Sequence, residues 1–167
     1  MSKILEMRSP QGSGEEQGRR RANQLLNAVM SFARLILRKY GELGPFGYSM
    51  DQEGQISRET LEIPRLPNDP KRLWKLLAEQ MARQARRGAV QAVAMAANVS
   101  LAEPSAEGYQ DAVVINIEEE SGYAIEVTVP YRIYGGHLKN LLPRRIALGE
   151  MVVDDAVADL FTGAEPR

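Results

Sequence analysis

The chain has 167 residues, 44% of them hydrophobic and 26% charged, with no cysteine and a single histidine, His137. This composition suits one soluble globular domain. It excludes disulfides, thiolate metal sites, a cysteine nucleophile and any metal site that needs two histidines. The formal net charge is −1 but is unevenly placed: residues 1–87 hold 16 Lys and Arg against 10 Asp and Glu, and residues 88–167 hold 5 against 12. A basic half and an acidic half can pair within one domain or between two copies.

The N-terminal stretch MSKILEMRSPQGSGEE carries no apolar run of signal-peptide length, and no segment reaches the roughly 18 apolar residues of a membrane span. A cytoplasmic location is expected. Residues 1–18, rich in Gly, Gln, Ser and Glu, read as a mobile tail. Over 19–40, Ala22, Leu25, Val29, Phe32, Ile36 and Tyr40 recur at three- and four-residue steps and predict a helix stopped by Gly41. Arg19, Arg20 and Arg21 then fall at the helix start, where the helix field disfavours cations, and read as a solvated terminus.

Residues 44–58 predict a hairpin. Phe46, Tyr48 and Met50 alternate with small residues, and the loop Gln52-Glu53-Gly54 pairs Met50 with Ile56. An extended connector with two prolines follows over 60–68. Asn68 or Asp69 caps a second helix with Pro70 in its first turn, a stripe of Leu73, Trp74, Leu77, Met81 and Ala85, and a stop at Gly88. Residues 89–101 alternate Val93, Met95, Ala97 and Val99 with smaller residues and predict a long strand.

The clearest signal is Asp111 to Tyr131, DAVVINIEEESGYAIEVTVPY. A two-residue turn would mix its faces. A three-residue loop, Glu120-Ser121-Gly122, pairs Ile117 with Ile125, Ile115 with Val127 and Val113 with Val129, and puts Gly122 where a left-handed residue is needed. One face is then apolar and the other carries Asn116, Glu118, Glu126 and Thr128. An irregular stretch with Gly135-Gly136-His137 leads to a last strand over 145–153, bulged at Gly149, and a short turn over 156–161. The expected architecture is α+β: a domain over 19–161 with an antiparallel sheet of about five or six strands, two amphipathic helices packed on one face, and polar tails outside it.

Catalysis would rest on His137 as a general base beside a carboxylate such as Glu126 or Glu150, and no serine has an activating context. Glu118, Glu119 and Glu120 are consecutive, so on a strand they alternate faces and do not converge on a metal; the run reads as a device keeping the hairpin tip soluble. No phosphate loop or Gly-x-Gly-x-x-Gly occurs, and the basic clusters lack interleaved aromatics. No cofactor, metal, nucleic acid or membrane partner is expected.

What remains is protein recognition through a half-exposed sheet, with self-association to cover strand edges. The candidate binding residues are Asn116, Glu118, Glu126, Thr128, Tyr131, Tyr134, His137 and Phe46. The alternative is a small enzyme or small-ligand binder with a pocket near His137 and Phe46.

The Pro45-Phe46-Gly47 segment after a helix, the Asp111–Tyr131 hairpin ending in Pro-Tyr, and Gly149-Glu150 together resemble a group of small bacterial proteins of unknown function, over about residues 20–152. The resemblance implies the same helix, hairpin, helix and sheet order, and no functional residue comes with it. The layout is also similar to small α+β immunity proteins and secretion chaperones, which is an analogy of architecture.

Overall fold

The structure, a computed structural model, describes residues 10–136 and 141–162, with side chains from 14 to 161. Helix α1 (Pro10–Tyr40) is followed by β1 (Phe46–Asp51), β2 (Ile56–Arg58), α2 (Pro70–Arg86), β3 (Val90–Ser100), β4 (Asp111–Glu119), β5 (Ala124–Tyr134), β6 (Arg145–Leu148), β7 (Val152–Asp155) and the one-turn α3 (Asp159–Thr162). The strands make one antiparallel sheet in the order β2-β1-β3-β4-β5, with β6 and β7 sharing the outer edge of β5. None of the described helices is long and apolar enough to cross a membrane.

Both hairpins have the expected registers. Ile117 pairs with Ile125, Ile115 with Val127 and Val113 with Val129, while Met50 pairs with Ile56. Gly122 and Gly54 sit at φ of 98° and 86°, a region open to glycine and closed to most side chains. Asp51 stiffens the smaller loop, its carboxylate accepting from the backbone N–H of Glu53 and Gln55 at 3.0 and 2.8 Å. The two loops lie side by side: Gln52 donates to the Gly88 carbonyl and to Glu120, and Glu120 N–H donates to the Gln91 carbonyl.

The helices do not share a face. Buried Ala22, Leu25, Val29, Ala33 and Leu37 of α1 pack with Ala92, Ala94 and Ala96 of β3 and with the inner rows of β4 and β5. Leu77, Ala78 and Met81 of α2 pack with Val93 and Met95, which point the other way. Side chains alternate across a strand, so β3 is apolar on both faces and is covered on both. Small residues on one side let α1 lie close, and larger ones on the other reach α2. The expectation of two helices on one face is thus corrected to a three-layer arrangement. Gly47 sharpens the point. Its missing side chain faces α2, and the terminal methyl of Met81 fills the place a Cβ would take.

Helix α1 begins at Pro10 rather than 19. Gly18, read as a mark of a mobile tail, is a packing glycine: a Cβ there would meet the Tyr123 Cβ at 2.8 Å. Arg19, Arg20 and Arg21 therefore sit inside the helix, clear of its unfavourable end. Asp69 caps α2 as expected, accepting from Lys71 N–H at 3.1 Å.

The single last strand expected over 145–153 is two strands with a break at 149–151. Pro130 explains the position. A strand residue turns its N–H and C=O to the same neighbour; the Pro130 carbonyl accepts from Gly149 N–H at 2.7 Å, so the N–H that proline lacks would have faced this edge. A Cβ at Gly149 would displace the Glu107 carboxylate and come within 3.1 Å of the Pro130 Cβ.

Candidate functional site

The acidic hairpin tip is where the two sides of the sheet are tied to their helices. Glu118 and Glu119 are neighbours on β4 and point to opposite faces, and both are buried. Glu119 meets Arg21 of α1 and accepts from the N–H and hydroxyl of Ser121. Arg21 also approaches Glu120 at 3.7 Å. Glu118 accepts from Asp159 N–H at 3.0 Å and Leu160 N–H at 2.8 Å, closing the first turn of α3. Burial pushes its carboxyl above the ordinary range, and those backbone hydrogen bonds pull partly back. The run expected to keep the tip soluble is, in two of its three residues, an internal clamp. Arg21, read as solvated, is the other half of one clamp.

On the α1 side the sheet is closed. On the α2 side it is half open. Helices α2 and α3 cover the part near β1 and β3. Glu107, against Gly149 and Pro130, and Tyr109, beside Tyr134, bring the 102–110 loop over the far end. Between them lies a window. Two rows of side chains cross it, Met95, Asn116, Glu126 and Asp154 in one and Ala97, Val114, Thr128 and Val152 in the next. Val114, Asn116, Glu126 and Thr128 are half-buried, and Val152 and Asp154 are exposed. Beside Asn116 the floor dips into a hollow of about 420 Å³ lined by Trp74, Ala78, Met95, Val157 and Leu160.

Of the candidate residues, the window brings together Asn116, Glu126 and Thr128. Glu118 shares their face but is spent on α3. Tyr134 lies on the same face further along β5, exposed, with the Arg132 guanidinium 5.0 Å over its ring. Tyr131 and Phe46 are on the α1 side and apart from one another. Tyr131 is buried and donates to Asn98 Oδ1 at 2.7 Å, at the wall of a cleft of about 470 Å³ with Glu42, Tyr109 and Asp111. Burial, with Asp111 nearby, pushes its hydroxyl up to about 12. Phe46 is core, edge-on to Phe32 at 4.9 Å, and borders a separate apolar groove of about 440 Å³ with Leu43, Leu61, Leu66 and Leu73. His137 lies outside the described residues. Trp74 and Asp154 belong to the surface and were missed. In the sequence Trp74 belongs to the α2 stripe, and Asp154 falls just past the strand expected over 145–153.

Among the described residues, no group of three His, Cys, Asp or Glu side chains is placed to hold a metal ion. Compared with protein-family models, curated proteins and solved structures, the chain matches none, so its geometry alone carries the functional reading.

Proposed function

We propose that the chain is a protein-binding module whose recognition surface is the window on the α2 side of the sheet. The observation that carries this is the hollow: a largely apolar recess beside Trp74, lined at its rim by the half-buried amide of Asn116, with Glu126 across the strand from it. A recess that takes one apolar side chain, rimmed by groups that orient a backbone, is the usual make-up of a peptide-recognition surface.

Trp74 is the only tryptophan, so its fluorescence reports on the hollow. The test is to pan a phage-displayed library of random peptides against the folded chain and titrate the selected sequences. Selected peptides should carry an apolar anchor, shift Trp74 emission, and lose at least tenfold in affinity when Asn116→Arg blocks the rim with melting temperature unchanged. Peptides that bind but perturb only Tyr131 or Phe46, or a library that enriches nothing, would overturn the reading.

A second reading, a small-ligand site, is favoured by the cleft at Tyr131, where a buried hydroxyl and Asn98 face Asp111 and Glu42 across about 470 Å³. A fragment screen followed by amide chemical shifts separates the two, since hits at the cleft move Asn98 and Gly108 and leave Trp74 still.

A further inference from the structure

Among the described residues, no strand pairs with the outer edge of β6 and β7. The opposite edge, β2, is three residues long. This one runs from Arg145 to Asp155, and Leu148, Met151, Val152, Val153 and Val157 along it are exposed. An open edge with apolar side chains is a template for another strand. Its backbone is aimed outward at known positions. Ala156 N–H bonds inward to the Ala124 carbonyl and Gly149 N–H to the Pro130 carbonyl. Alternate residues turn their backbone groups to opposite sides, so those of Ile146, Leu148, Val153 and Asp155 point away from β5.

A second observation concerns charge. Glu126 and Asp154 are direct cross-strand partners on the α2 face. Like charges so placed repel, and neither makes an ion pair among the described residues. Arg145 lies on the same face, exposed and also without an ion pair there. Within one copy, Arg145 and Asp154 are separated along the edge by eight residues of chain.

We propose that a second copy of this chain pairs with this edge about a two-fold axis perpendicular to the sheet, β7 of each copy antiparallel to β6 of the other. Arg145-Ile146-Ala147-Leu148 is the antiparallel complement of Met151-Val152-Val153-Asp154. Asp154 stands opposite the second copy's Arg145, Val153 opposite its Ile146, Val152 opposite its Ala147 and Met151 opposite its Leu148. In this register every pair shares a face, and the outward backbone groups of Val153 meet those of Ile146. A one-residue slip would set each side chain against one on the wrong face. Pairing β7 with β7 would instead gather Asp154 and Asp155 of both copies. The chosen register supplies the cation that the Glu126–Asp154 pair lacks. It also keeps both α2 faces on one side, so that the two windows adjoin across the axis. The interface stands whether or not the window binds peptides.

Sedimentation equilibrium from 1 to 200 µM is expected to show a monomer–dimer equilibrium. Arg145→Asp and Asp154→Arg should each weaken it at least tenfold without lowering the melting temperature, and the double charge swap should restore it. Because the chain has no cysteine, the pair Val152→Cys and Ala147→Cys tests the register. These side chains oppose each other across the axis at a spacing a disulfide can span, and mild oxidation should yield a covalent dimer. A wild-type monomer at 200 µM, single swaps without effect, a double swap that fails to restore, or a lone Val153→Cys that cross-links while the pair does not, would each overturn the proposal.

Discussion

The two faces of the sheet are built from the same strands and do different work. On the α1 side, Val113, Ile115, Ile117, Val127 and Val129 are all but inaccessible. On the α2 side, one residue along in each case, Val114, Asn116, Glu126 and Thr128 keep partial access to water. The first face is where stability is concentrated, and the second is where a partner can reach. The largest effect expected from breaking this contrast is Ile115→Ala, which opens a cavity in the closed face and should cost about 2–5 kcal/mol. Asn116→Ala, its neighbour on the open face, should stay within about 0.5 kcal/mol. Urea denaturation of both variants measures the difference; equal losses would mean that the window is as structural as the core.

Next in size is the clamp on the closed side. Arg21→Ala leaves the Glu119 carboxylate buried with Ser121 as its remaining side-chain hydrogen-bond partner among the described residues. Removing one partner of a buried pair costs about 3–5 kcal/mol. Arg21 is a quarter exposed, so about 2–3 kcal/mol is expected after allowing for solvent screening. Arg20→Ala, one position along on the exposed side of α1, should be near neutral in the same experiment. Gly47→Ala tests the other layer: it pushes a methyl into Met81, and because that side chain's end can move, the loss should be about 1–2 kcal/mol.

How much of this was legible depends on what each signal encodes. Hairpin registers were, because alternation and loop glycines are local: Gly122 and Gly54 each mark a left-handed position within a few residues of the pairs they set. The helix starts were half legible. Asp69-Pro70 is a cap in sequence, whereas Gly18 belongs in a helix only because Tyr123, more than a hundred positions away, lies against it. The side on which each helix packs was the main error. Residues 92–96 are apolar at both parities, the pattern of a strand covered twice, which alternation of large with small residues does not by itself reveal. The candidate surface was legible to the extent that it is a strand face: that Asn116, Glu126 and Thr128 share one face followed from parity. Trp74 and the hollow did not, since they need α2 and α3 placed over that face. Nor did the roles of Glu118 and Glu119, since each depends on a distant element.

A smaller effect sharpens the contrast through pH. The Tyr131 hydroxyl, raised by burial from 10.0 to about 12, keeps its proton in the folded state after the unfolded chain has lost it. Between those two values the unfolded state binds fewer protons, so stability falls as pH rises through the window. Tyr131→Phe should cost about 1 kcal/mol at neutral pH, for the lost bond to Asn98, and flatten that alkaline decline. Thermal melts from pH 7 to pH 11.5 measure it, and parallel declines in the two proteins would show that the hydroxyl titrates freely.

The smallest effect lies at the junction of the two faces. Glu118 is also raised by burial, but from the carboxylate range. Its folded form holds a proton at pH values where the unfolded form has released it. Acidification from neutral toward the ordinary carboxylate range therefore removes a cost of keeping the ion buried, and this group adds stability as pH falls. Glu118→Gln keeps the shape and an acceptor for the α3 backbone but cannot titrate. Its melting temperature should approach or exceed the wild-type value at pH 7, and the gap should move in favour of wild type toward pH 5. The backbone hydrogen bonds from Asp159 and Leu160 act in the opposite sense, favouring the ion, so the sign of the pH dependence decides which influence prevails at the open face. A gap that instead widens in favour of the variant as pH falls would mean that α3 holds Glu118 as an anion, and that the α2 side is clamped as firmly as the α1 side is by Arg21.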